Sequence, residues 1–129
     1  MSQDRVLIVD DAGFIREILN RICSSAGFLV VGQAVDGEEA VRQALALKPN
    51  FVLMDLVMPK KNGIQATKEI LESLADVKVI ACSTIEDDMM IEQALSAGCI
   101  DYLKKPFSRT MVINILNKHT SLVKEQEDV

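Results

Sequence analysis

Val6-Leu7-Ile8-Val9-Asp10-Asp11 and Phe51-Val52-Leu53-Met54-Asp55 have the same form, four apolar residues followed by acid. Short, continuous apolar runs of this kind suit strands buried on both faces, as in a parallel sheet covered by helices. Such sheets gather the C-terminal ends of their strands along one edge, where they bind ligands, so Asp10, Asp11 and Asp55 are expected to converge in one anionic pocket. Crowded carboxylates repel and raise one another's pKa. The pocket therefore calls for a cation, and oxygen-only ligands suit Mg²⁺ better than zinc.

Outward from these two strands the pattern repeats. Phe14, Ile15, Ile18, Leu19 and Ile22 recur at helical spacing and stop before Gly27, which predicts a helix over 12–26. An apolar, β-branched strand over 28–32 follows. Asp36-Gly37 marks a turn, and Ala40, Val41, Ala44, Leu45 and Leu47 form a second helical stripe ending near Lys48-Pro49. After the 51–54 strand, a loop with Pro59 and Gly63 leads to a helix carrying Ile64, Ala66, Ile70, Leu71 and Leu74. A strand over 77–82, a helix over 86–97, a strand over 100–103 and a helix from 108 to about 124 complete the chain.

Five strand-then-helix units with short connections predict an α/β fold, a flavodoxin-like doubly wound (βα)5 with helices on both faces of a five-stranded parallel sheet in the order 2-1-3-4-5. In that order, residues after the first and third strands flank the switch point. A length of 129 residues fits a single domain over 1–129, with a frayed polar, largely acidic tail at about 125–129. The net charge of −5 argues against sequence-independent binding to nucleic acid or anionic membrane. No apolar run reaches the roughly 18 residues of a membrane span, and the first five residues lack the order of a signal peptide, so a cytoplasmic location is expected. Cys23, Cys82 and Cys99, widely spaced among apolar neighbours, read as reduced core thiols.

Three further features stand at strand ends: Ser83 after the fourth, and Lys105-Pro106 after the fifth, with Tyr102 three residues before the lysine. Asp10-Asp11, the run from Asp55 through Met58-Pro59 to Gly63, Ser83, and Tyr102-Leu103-Lys104-Lys105-Pro106-Phe107 together resemble the receiver domain of bacterial two-component response regulators. The resemblance spans about residues 4 to 120. The segments from Asp11 to Arg16 and Cys82-Ser83-Thr84 are similar to those of stand-alone, CheY-like chemotaxis response regulators.

The resemblance implies a phosphorylation-activated switch rather than a turnover enzyme. Asp55 matches the acceptor of a phosphoryl group from a phosphohistidine on a sensor histidine kinase, here of the CheA-like kind. Asp11 matches a direct Mg²⁺ ligand, Asp10 one that reaches the metal through water, and Val57 the residue whose backbone carbonyl completes the protein's share. Lys105 matches the fixed cation for phosphoryl oxygens. Ser83 matches the hydroxyl switch residue, with Thr84 its competitor, and Tyr102 the aromatic that moves with that loop. Pro106 makes a cis Lys-Pro bond an expectation. The output would be a shift in the face made by the fourth helix, fifth strand and fifth helix, binding the flagellar motor switch, with a phosphatase as a further partner and the protein a monomer. Met89, Met90 and Ile91 are consecutive, so at least one should reach the surface. Val57 and Ile85 stand where polar residues in some relatives place attacking water, which implies slow self-dephosphorylation.

Other readings stand beside this one. Single-domain receivers also serve as phosphorelay intermediates or phosphate sinks. A Mg²⁺-dependent phosphohydrolase would require an acid where Val57 stands, and a flavodoxin-type cofactor binder would require a phosphate loop where Asp10-Asp11 would repel phosphate. The Asp10-Asp11 pair could also serve merely as a helix cap. His119, the only histidine, reads as a helix-end residue rather than a phosphodonor.

Overall fold

The computed structural model describes residues 3–84 and 88–120. Strands β1 (Arg5–Val9), β2 (Leu29–Ala34), β3 (Phe51–Asp55), β4 (Lys78–Thr84) and β5 (Asp101–Lys105) alternate with helices α1 (Gly13–Ser25), α2 (Gly37–Leu47), α3 (Gly63–Ser73), α4 (Asp88–Ala97) and α5 (Arg109–His119). The strands are all parallel, in the order β2-β1-β3-β4-β5, so the flavodoxin-like arrangement read from the sequence is the one formed.

Side chains alternate across each strand and sort the core into two layers. Leu7, Val9, Val52, Met54, Val79 and Ala81 meet Ala40 and Ala44 of α2, Ala66 and Ile70 of α3, and Ala94 of α4. Val6, Ile8, Phe51, Leu53, Ile80 and Leu103 meet Leu19, Ile22 and Cys23 of α1 and Val112, Ile115 and Leu116 of α5. β3 is buried along its whole length, which is why its sequence shows no alternation. Each large side chain fully removed from water here contributes about 1.5–3 kcal/mol. All three cysteines are free and buried in these layers, as expected.

Local chemistry sets the helix starts. Asp36 caps α2 by accepting from the Glu39 N–H at 2.8 Å, Asn62 caps α3 through Gln65 at 2.9 Å, and Ser108 caps α5 through Met111 at 3.2 Å. The cap position of α1 is Ala12, with no side-chain bond, so capping does not explain the Asp10-Asp11 pair.

Several boundaries differ from the sequence reading. β2 runs on to Ala34 because its ladder with β1 continues, past a register shift, to Val9↔Ala34. β4 and β5 extend to Thr84 and Lys105 because they remain paired through Ser83↔Lys104 and Thr84↔Lys105. Ser83 and Lys105 therefore lie within strands, next to last in β4 and last in β5, rather than beyond them. α5 ends at His119, with Thr120 in extended conformation and its hydroxyl bonded to the Asp4 carboxylate. Residues 121–129, and with them the expected tail, lie outside the described residues, as do the first residues expected for α4 and Ile85.

Candidate functional site

β1, β3 and β5 deliver their last residues to the same edge of the sheet. Asp10 follows β1 directly, Asp55 closes β3 opposite Cys82 of β4, and Lys105 closes β5. Asp10 and Asp55 are buried, at 1% and 5% exposure, whereas Asp11 is open to solvent. One carboxylate oxygen from each of the three lies within 4.8 Å of the others.

Asp10 is held at every polar atom. Its N–H donates to the Ala34 carbonyl at 3.1 Å, and its Oδ1 accepts from the Ala12 N–H at 2.9 Å. Its Oδ2 takes the Lys105 ammonium at 2.8 Å, and its carbonyl accepts from Arg16 Nη1 at 2.8 Å. Asp55 Oδ1 lies 3.5 Å from Lys105 Nζ and accepts from the Val57 N–H at 3.4 Å. Burial and the Asp10 charge push the Asp55 carboxyl up to about 6, against the opposing pull of Lys105 and the Val57 N–H. Burial alone would lower the Lys105 ammonium, but its bond to Asp10 and the Asp55 charge outweigh it and hold the pKa above the ordinary value. One ammonium thus faces three carboxylates in a largely buried site.

That excess of negative charge and the all-oxygen donor set fit a hard divalent cation such as Mg²⁺. Asp10, Asp11 and Asp55 are the residues that would hold it, and the backbone of Val57 turns back onto Asp55 beside them.

The remaining residues singled out from the sequence fall around this core. Ser83 is 3% exposed, and its hydroxyl donates to the Thr84 carbonyl at 3.3 Å. Thr84 is exposed, on the alternate face of the strand. Tyr102 pairs with Ala81 in the ladder and is 39% exposed. The bonds just described join Asp10, Asp55 and Lys105, whereas the Ser83 hydroxyl bonds within its own strand. The Lys105-Pro106 bond is cis. Met89 is exposed at 73% and Ile91 is buried, as three consecutive apolar residues on one helix require. His119 ends α5 and bonds Asp101, far from the acids in the fold. The Cys82 thiol beside the site is fully buried, and burial pushes its pKa well up, which suits packing rather than chemistry.

Two contacts escaped the sequence reading. Gly63 starts α3 so close to β3 that a Cβ there would lie 2.2 Å from the Asp55 carbonyl oxygen. Gly37 likewise admits the Lys61 carbonyl, which a Cβ would meet at 2.0 Å, while Lys60 reaches Asp36 at 3.7 Å. The loop after Asp55 is thus seated against the start of α2. Both glycines were visible in the sequence, but only as turn and loop residues.

Residues 6–117 match the response regulator receiver domain model. The chain is 46% identical over 114 residues to the chemotaxis protein CheY of Thermotoga maritima, covering 88% of this chain and 95% of that protein. It is 38% identical over 114 residues to protein CcdB of Bacillus subtilis, with the same coverage of 88% and 95%. Among solved structures, a chain of the CheX-CheY-BeF3-Mg²⁺ complex from Borrelia burgdorferi superposes with a TM-score of 0.85 at 31% identity, covering 91% of this chain and 90% of that one. The fold, the acidic edge and these likenesses agree: the chain belongs to the response regulator receiver domain family.

Proposed function

We propose that this receiver is a chemotaxis-type signalling switch that takes a phosphoryl group onto Asp55. The observation that carries the reading is the convergence of Asp10, Asp11 and Asp55 within 4.8 Å, with Lys105 bonded to Asp10 and 3.5 Å from Asp55.

The donor is a phosphohistidine on a sensor histidine kinase of the CheA-like kind. An oxygen of Asp55 attacks phosphorus, the P–N bond breaks, and the imidazole leaves with the bonding pair and takes up a proton. Asp10, Asp11, Asp55 and the Val57 carbonyl would hold Mg²⁺, which when bound would neutralise charge on the phosphoryl oxygens. Lys105 adds a fixed positive charge beside Asp55, and Asp10 holds that ammonium in place. The Ser83 hydroxyl exchanges its Thr84 acceptor for a phosphoryl oxygen, and Tyr102 turns inward as the loop follows. The α4-β5-α5 face thereby changes and binds its partner, the flagellar motor switch. Residues 1–129 form a single receiver domain that acts as a cytoplasmic monomer and turns over no external substrate.

A phosphatase completes the cycle. Its support is the CheX-CheY-BeF3-Mg²⁺ complex, in which a similar receiver is joined to another protein together with BeF3 and Mg²⁺. A second reading is a phosphorelay intermediate: at the same coverage as to CheY the chain is also similar to CcdB, whose name does not mark it as a chemotaxis protein. Phosphorylation-dependent binding to a flagellar switch peptide supports the first, and onward transfer to a histidine phosphotransfer domain the second.

The founding test exposes wild type and Asp55→Asn to acetyl phosphate with and without Mg²⁺ and follows intact mass. A single Mg²⁺-dependent phosphoryl adduct, lost in the variant, is expected. No adduct on wild type in Mg²⁺ would end the reading.

A further inference from the structure

On the surface of α1, one side chain reaches back to the acidic edge without joining it. Arg16 Nη1 donates to the Asp10 carbonyl at 2.8 Å, and Arg16 Nε donates to Gln33 Oε1 on β2 at 3.1 Å. Gln33 is itself anchored, since its carbonyl accepts from Gln43 of α2 at 2.7 Å. We infer that Arg16 is a positioning residue for the metal site, clamping the Asp10-Asp11 peptide between α1 and β2 so that both carboxylates present to the cation.

The peptide bond between Asp10 and Asp11 is planar, so fixing its carbonyl oxygen fixes the plane from which both residues project. Asp10 has other restraints, from Ala34, Ala12 and Lys105. Exposed Asp11 depends more heavily on its backbone. Helix α1 begins without a side-chain cap, so the turn that carries the two acids lacks the anchor that Asp36, Asn62 and Ser108 give the other capped helices. The guanidinium supplies the missing anchor. Its planar fork suits the task, because two of its nitrogens meet acceptors on two different segments at once. Groups that orient metal ligands from outside the coordination sphere commonly govern affinity nearly as strongly as the ligands.

The inference rests on the Mg²⁺ reading of the acidic site, and the test separates the two. Calorimetry would give the Mg²⁺ dissociation constant of wild type, Asp11→Asn, Arg16→Met, Arg16→Gln and Arg16→Lys, with a urea melt of each in metal-free buffer. Arg16→Met and Arg16→Gln are expected to raise the dissociation constant roughly tenfold, and Arg16→Lys to lie nearer wild type. Acetyl phosphate labelling of the two neutral variants should recover when Mg²⁺ is raised in proportion. An arginine that merely supports the fold would shift the urea midpoint and leave the affinity of the folded protein unchanged. A wild-type dissociation constant in either folded neutral variant, beside weakened Asp11→Asn, would overturn the inference alone. Wild type that binds no Mg²⁺ would overturn the site reading and this inference with it.

Discussion

Lys105 Nζ sits 2.8 Å from Asp10 Oδ2 but 3.5 Å from Asp55 Oδ1, so the site's ammonium is bonded to Asp10 rather than to Asp55, the proposed acceptor. In metal-free protein it does the work of a counter-ion for a buried carboxylate. Removing one partner of such a pair leaves the other charge desolvated.

Lys105→Met should therefore destabilise the metal-free protein by roughly 1–3 kcal/mol, and saturating Mg²⁺ should restore more stability to the variant than to wild type, since a divalent cation can take over the orphaned charge. Urea melts of both proteins in chelator and in Mg²⁺ measure this. Equal stabilisation of the two by Mg²⁺ would show that lysine and metal do not share the same acids. Acetyl phosphate labelling of Asp55 should slow in the variant even at saturating Mg²⁺, because the fixed charge beside the phosphoryl group is gone.

Gly63→Ala should distort the acceptor itself. The added Cβ would lie 2.2 Å from the Asp55 carbonyl and 2.9 Å from the Leu56 Cα, both backbone atoms that cannot swing aside. Overpacking of this kind costs about 1–3 kcal/mol. The expected signature is a lowered urea midpoint together with slower adduct formation. A variant with wild-type stability and labelling would mean that α3 can withdraw from β3 freely.

Asp101 sets a pH dependence at the opposite end of β5. Its carboxylate meets His119 Nε2 at 2.8 Å and Lys118 at 3.4 Å, joining the start of β5 to the end of α5. Burial pulls its pKa upward, but His119, the Tyr102 N–H and Lys118 outweigh it and hold the carboxyl below its usual range. A carboxyl with a folded pKa lowered in this way adds stability above its unfolded value of about 3.9 and loses it as pH falls through the lower folded value. Asp101→Asn should thus cost up to about 1 kcal/mol at pH near 6, with the cost shrinking as the pH falls below about 3.9. Paired melts across that window check it, and a pH-independent gap would assign the effect to packing.

These relationships mark where the sequence stopped being readable. β3 announced itself because a strand buried on both faces has only apolar residues to offer. The acids were legible because charge that follows such a strand has few structural uses. Ladder ends were less so: Ser83 and Lys105 read as residues just after their strands, since polar side chains at a sheet edge look the same whether paired or not. Arg16 stood in the sequence only as part of a resembling segment, and its contacts gave no signal, because its partners are a carbonyl six residues back and a side chain on β2. Gly37 and Gly63 showed as turn residues, whereas their closeness to Lys61 and Asp55 depends on how the loops dock.

If Asp55 is the acceptor proposed above, Val57 is expected to set the lifetime of the phosphorylated state. Its backbone N–H is bonded to Asp55, while its side chain is 59% exposed at the mouth of the site. An isopropyl group there has no donor or acceptor with which to hold an attacking water. Val57→Asn replaces it with an amide of similar size that both donates and accepts. Spontaneous loss of the phosphoryl group should quicken severalfold, with the labelling rate and the Mg²⁺ affinity little changed, because the backbone contacts of residue 57 remain. Phos-tag gels after removal of acetyl phosphate would follow the decay. An unchanged or slower decay would mean that water reaches Asp55 from another side, and that the apolar mouth serves the docking of a partner rather than the persistence of the signal.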